Sequence, residues 1–142
     1  MMNLKNIICT ACGIAGSIIC QLFGGWTAAM TTLIIFMGLD YLTGILIALI
    51  WKKSPKSENG GLDSRAGWKG LVRKGVILAV VLIAYRLDLL LGVDYIKNAA
   101  IIAFCANELI SFVENVGIMG VPMPEAITNA IAILKGEDKD KE

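Results

Sequence analysis

Residues 28–51 read AAMTTLIIFMGLDYLTGILIALIW, and Asp40 is the one charged side chain in that stretch. A run of this length and polarity has few ways to fold. A helix that crosses the roughly 30 Å hydrocarbon layer of a bilayer needs about 20 mostly apolar residues. A helix on the surface of a soluble domain would show a continuous polar face, and this run shows none. Residues 7–23, 75–92 and 95–113 repeat the pattern with few charges. Across all 142 residues the hydrophobic fraction is 56%, above the roughly 45–50% of soluble domains.

The breaks between the runs are equally legible. Gly24-Gly25 interrupts a helix, and Trp26 suits a membrane interface. Gly92-Val93-Asp94 reads as a tight turn. The stretch KKSPKSENGGLDSRAGWKGLVRK, residues 52–74, reads as a polar loop. Its last ten residues suit a short basic helix on the membrane surface. Beyond the fourth run, Pro124 can occupy a first helical turn. Met123, Ile127, Ala130, Ile131 and Leu134 then recur at helical spacing.

The expected fold is therefore all-α and membrane-integral. It has about four transmembrane helices (7–23, 28–51, 75–92 and 95–113) and a short C-terminal amphipathic helix. One domain covers residues 1–134, and the charged tail KGEDKDKE covers 135–142. The N-terminus imitates a secretory signal, with Lys5 before an apolar core, but no A-x-A cleavage pattern follows it. It is expected to stay as the first helix.

Orientation follows from lysine and arginine bias. The 52–74 loop carries Lys52, Lys53, Lys56, Arg65, Lys69, Arg73 and Lys74 against Glu58 and Asp63. The turns around 24–27 and 92–95 carry no Lys or Arg. The loop is expected to be cytoplasmic, where it also meets anionic lipid headgroups. Four spans then place both termini on the same side.

Composition also narrows the chemistry. There is no histidine, hence neither the commonest general base nor the commonest neutral metal ligand. A net charge of +1 points to no nucleic-acid partner. Cys9 and Cys12 form a C-x-x-C without the further ligands or redox fold it would need. Together with Cys20 and Cys105 they read as small, buried membrane-helix residues. No enzyme activity, cofactor or metal is expected.

The polar residues inside the runs are the candidates for function. At 1.5 Å per residue Asp40 lies roughly 18 Å deep, where a charged Asp costs about 2.5–3.5 kcal/mol on insertion scales. It requires a partner, water or a proton. Glu108 lies roughly 20 Å deep on the fourth helix and Arg86 roughly 9 Å deep on the third. Arg86 can snorkel outward or reach one of the two acids. Asn107, Ser111, Glu114 and Asn115, with Glu108 beside them, form a polar stripe. Thr43 flanks Asp40, and Gly44 and Ala48 follow it at four-residue spacing, which lets membrane helices approach closely. The stripe is either a hydrogen-bonded seam inside one bundle or a face that meets other copies or water.

The motif order resembles the phage lysis and toxin-secretion holin family of Gram-positive bacteria, of the clostridial phage type. The residues that carry it are DYLTGILIA (40–48), GLDSRAGWKGLVRKG (61–75), RLDLLLG (86–92) and NELISFVENVGIMGVPMPEAI (107–127). The resemblance implies a homo-oligomer in the bacterial cytoplasmic membrane that opens lesions for endolysin or a large toxin. It implies no cofactor and no catalysis, and it allows an antiholin as partner. The polar set Asp40, Thr43, Gly44, Arg86, Asn107, Glu108, Ser111, Glu114 and Asn115 would then serve assembly or line the hole. The rival readings are an antiholin, a small ion channel or transporter, and a structural adaptor. Residues 7–51 and 75–113 show none of the internal similarity that a transporter built from inverted repeats would have.

Overall fold

The computed structural model describes Met1 and residues 3–136. Most of the charged tail, residues 137–142, lies outside the described residues. Among those described the chain is all helical: α1 (Leu4–Leu22), α2 (Ala28–Leu46) with a π-helical turn (Ile47–Trp51), α3 (Ser64–Leu91), α4 (Ile96–Ile118) and α5 (Glu125–Leu134).

Local chemistry sets the ends of these helices. The Thr27 hydroxyl caps α2 by accepting from the Met30 N–H at 3.3 Å, and Asp63 caps α3 by accepting from the Arg65 N–H at 2.9 Å. Gly92 closes α3 in the left-handed region at φ 66°, and the Val93 N–H reaches back to the Asp88 carbonyl. The wide π-helical turn ends α2 at Lys52, which takes φ 51°. Pro124 stands immediately before α5, and Glu125 in its first turn suits the helix dipole.

Three helices are long and apolar enough to span a membrane: α1, α2 with its π-helical turn, and α4. The third expected span, 75–92, forms the later part of α3. Lys74, Arg86 and Asp88 place three charges within its last 18 residues. The expected loop 52–74 is shorter than its composition suggests. Residues 52–63 form the loop, and 64–74 continue without a break into α3. Helix propensity explains this, because Arg, Ala, Trp, Lys, Leu and Val dilute the two glycines once Asp63 has capped the start.

The core lies between α2, α3 and α4. Met30, Leu33 and Met37 of α2 follow helical spacing and meet Ile77 and Val81 of α3 and Ile101 and Cys105 of α4. α1 stands apart, with no buried residue. Cys105 is the one cysteine buried in the fold, whereas Cys9 and Cys12 are exposed on α1 and Cys20 is half-buried. The expectation of four buried cysteines fails because α1 buries none of its residues in the fold. The outer faces of α1, α2 and α3 carry exposed Ile, Leu and Val, which in water would be an untenable apolar area and in a bilayer meet lipid.

Tryptophans mark the two ends. Trp26 and Tyr95 are exposed at one end, and Trp51 and Trp68 at the other. Along the helices these pairs are separated by roughly 36–40 Å, about the thickness of a bilayer with its interfacial layers.

One turn residue is fixed twice over. Gly24 has φ +75°, and a Cβ there would sit 2.4 Å from the Tyr85 ring. Gly24→Ala is expected to cost at least about 1–2 kcal/mol from the left-handed backbone alone. Detergent unfolding midpoints would register this, whereas Gly25→Ala, also at positive φ but with nothing within 4 Å, loses only the backbone contribution.

Candidate functional site

A buried charge cluster joins the three core helices about halfway along α2. Lys74 of α3 donates to Asp40 of α2 at 2.8 Å and also to Glu108 of α4. Asp40 is 4% exposed and Glu108 3%. The single ammonium therefore bridges two carboxylates that would otherwise be unpaired deep in an apolar fold. Asn115, two turns of α4 beyond Glu108, completes the joint. Its Nδ2 donates to Thr43 Oγ1 at 2.9 Å and to the Asp40 side chain and carbonyl at 3.2 Å. Thr43 can accept because its own hydroxyl donates to the Leu39 carbonyl at 2.8 Å. Gly44 lies beside the Asn115 amide, where a Cβ would stand 3.9 Å from Nδ2 in ordinary van der Waals contact. Among the described residues no buried side-chain polar atom lacks a partner.

The partner of the acids is thus Lys74. Sequence reasoning places Lys74 in a loop and leaves Arg86 either to snorkel outward or to reach one of the two acids. Arg86 is exposed on α3 and forms no ion pair among the described residues, as the outward alternative has it. A helix that starts at Ser64 carries Lys74 inward, and its long stem lets the ammonium lie between α2 and α4.

The polar stripe of α4 divides in two. Glu108 and Asn115 point inward and are buried, Ser111 is half-buried, and Asn107 and Glu114 are exposed. The spacing explains the split. Residues 108 and 115 are seven apart and share the inner face, while 107 and 114 repeat one position away on the outer one.

A second polar joint, absent from the sequence reading, lies at the Trp26 end. Asp88 of α3 accepts from the backbone N–H groups of Ile96 and Lys97, both at 2.9 Å. It thereby caps α4, whose own N-cap residue Tyr95 offers no side-chain bond. The Lys97 ammonium donates to the Phe23 carbonyl, and it lies 5.2 Å from the centre of the Tyr85 ring. The turns after α1 and α3 therefore sit together at one end, with the 52–63 loop at the other. The available signal was a lone lysine at the start of an apolar run, with an acid nine residues before it.

Above the charge cluster, toward the 52–63 loop, a cleft of about 560 Å³ opens between the first turns of α3 and the second half of α4. Asp40, Lys74 and Glu108 form its floor, and Lys69 and Arg73 face Ser111 and Glu114 across it. Of the seven basic residues assigned to the loop, Lys52, Lys53 and Lys56 lie in it. Arg65, Lys69, Arg73 and Lys74 belong to α3. Among the described residues no three His, Cys, Asp or Glu side chains converge as metal ligands would.

Known proteins are similar in sequence to most of this chain. An uncharacterized protein of Clostridium perfringens is 36% identical over 139 residues, covering 95% of this chain and 97% of the relative. An uncharacterized protein of Halalkalibacterium halodurans is 37% identical over 123 residues, covering 82% and 85%. A probable holin of Bacillus phage phi105 is 29% identical over 104 residues, covering 72% and 71%. No solved structure matches the chain. The sequence profile of the bacteriophage holin family matches residues 17–136. With its span-length apolar helices, the chain is a membrane protein and belongs to the bacteriophage holin family.

Proposed function

We propose that this chain is a holin proper: copies collect in the bacterial cytoplasmic membrane, assemble, and open lesions through which endolysin, or a large toxin, leaves the cell. The family match over residues 17–136 carries this reading. The 52–63 loop, the basic start of α3 and both termini face the cytoplasm, as the lysine and arginine bias supports. Catalysis has no part in it.

The geometry supports a division of labour among the polar residues. Asp40, Thr43, Gly44, Glu108 and Asn115, joined through Lys74, form the frame that holds α2, α3 and α4 as one unit. Their hydrogen bonds are met within the chain, so they give sparse subunits no reason to stick. Assembly falls to exposed Asn107, Glu114 and Arg86, with half-buried Ser111. Interhelical polar contacts of this kind contribute about 0.6–2 kcal/mol each in a membrane. Repeated over many copies, they make assembly steep in concentration.

The test is inducible expression in a bacterium that carries a folded cytosolic reporter enzyme. Abrupt loss of membrane potential with reporter in the medium is the expected result. Loss of potential with the reporter retained would replace the proposal with a narrow channel. Unchanged potential, with delayed lysis when a known holin is co-expressed, would replace it with an antiholin.

A further inference from the structure

The cleft above the charge cluster has a chemistry of its own. Arg65, Lys69 and Arg73 are four residues apart on α3 and share one side of it. Like charges at this spacing destabilise a helix by a few tenths of a kcal/mol per pair. Glu58 and Asp63 border a neighbouring cavity with Arg65 and Lys69, but among the described residues no carboxylate pairs directly with the row, and the ion pairs found there both belong to Lys74. Lys56 of the loop adds a further cation to the cleft. The cleft's own carboxylates answer most but not all of this charge: Lys56, Lys69, Arg73 and Lys74 stand against Asp40, Glu108 and Glu114, which leaves one positive charge over.

Depth says what kind of anion is at hand. Counting from Gly92 at 1.5 Å per residue, about 30 Å of hydrocarbon ends near Val72. Arg73 then lies at the hydrocarbon boundary and Lys69 in the headgroup layer. Exposed Trp68 stands at the same level, where indole rings anchor. The apolar outer surface of α3 below it, with Val72 and Val76 exposed, meets acyl chains.

We propose that the cleft between the start of α3 and the second half of α4 binds the phosphate of one anionic phospholipid headgroup, through Lys56, Lys69 and Arg73. The same phosphodiester chemistry would accept a free phosphate, but the position of the cleft in the headgroup layer favours the lipid. The occupied cleft neutralises the cationic row and fixes the depth of α3 in the bilayer.

The full-length protein, purified in a mild non-ionic detergent, would be titrated with phosphatidylglycerol or phosphatidylcholine and the adducts read by native mass spectrometry. One bound phosphatidylglycerol in preference to phosphatidylcholine is expected. Lys69→Gln with Arg73→Gln should weaken that adduct by about fivefold for each cation removed. Lys52→Gln with Lys53→Gln removes the same charge away from the cleft, so it should leave the adduct unchanged. Both pairs are solvent-exposed, and far-UV circular dichroism would confirm that each variant stays helical. Equal binding of the two lipids would overturn the proposal, as would equal losses in both double variants, which would mean diffuse surface charge. Displacement of the lipid by millimolar inorganic phosphate would overturn it in favour of a soluble-anion site.

Discussion

Replacing Lys74 with methionine should destabilise the protein by about 3–5 kcal/mol, a hundredfold or more in the folded-to-unfolded ratio. The methionine fills most of the same space, so the loss is electrostatic. Asp40 and Glu108 are left facing each other with no cation, each nearly excluded from solvent. The effect should fall toward the low end of that range. Both acids border the cleft, and protonation of one of them limits the penalty. The matched control removes all three charges. Lys74→Met with Asp40→Asn and Glu108→Gln should recover most of the stability, since well-matched neutral groups often replace a buried ion pair at little cost. The Asp40→Asn change also keeps a side-chain oxygen that can accept from Asn115. Unfolding in detergent, followed by tryptophan fluorescence, measures both. A single variant as stable as the parent, or a triple variant no better than the single, would show that the cluster does not hold the helices together.

The sequence made the membrane class legible because hydropathy over twenty residues depends on no tertiary contact. Asp40 and Glu108 stood out for the same reason: a carboxylate amid apolar residues is conspicuous without knowing what it touches. Their partner was hidden. Lys74 sits among six other basic residues in a Ser- and Gly-rich stretch, and composition cannot say which of seven cations turns inward. That choice depends on where α3 begins, and Asp63 sets it with a single capping bond. Asp88 was hidden differently. It lies eight residues before the α4 amide that it caps, beyond the three-residue window in which capping patterns are recognised. The exposure of α1 was also unreadable, because its Gly and Cys flank reads the same whether a neighbour covers it or not.

The internal satisfaction of Asp40 changes how its role in assembly is understood. In the proposed holin, an unpaired acid inside the bilayer would favour early association of subunits, which a timed opening must avoid. An acid already bound to Lys74 and Asn115 removes that premature drive. On the proposed function, it leaves the weaker, exposed groups on α4 to act only when copies are crowded.

The second large effect is expected at the opposite end of the bundle, with Asp88→Ala. This substitution removes the acceptor of two backbone N–H groups at once. A lost helix cap costs about 0.5–2 kcal/mol in water, and an unsatisfied amide costs several in a lipid environment. Asp88 is 5% exposed and Lys97 7%, so water does not readily replace the carboxylate, and the expected loss is about 2–4 kcal/mol. The disturbance should also spread. Lys97 is held where its ammonium meets the Phe23 carbonyl, and fraying the first turn of α4 loosens the junction with α1. Asp88→Asn keeps one side-chain acceptor and should lose about half as much. Lys97→Met spares the cap and removes only the link to Phe23, so it should lower protease protection at the 23–27 turn more than global stability. Limited proteolysis of these variants in detergent, beside their unfolding midpoints, separates the two effects. If Asp88→Ala unfolds with the parent's midpoint, α4 does not depend on this cap. If Lys97→Met leaves the 23–27 turn fully protected, α1 is held to the bundle by packing around Gly24 and Tyr85 and not by the lysine.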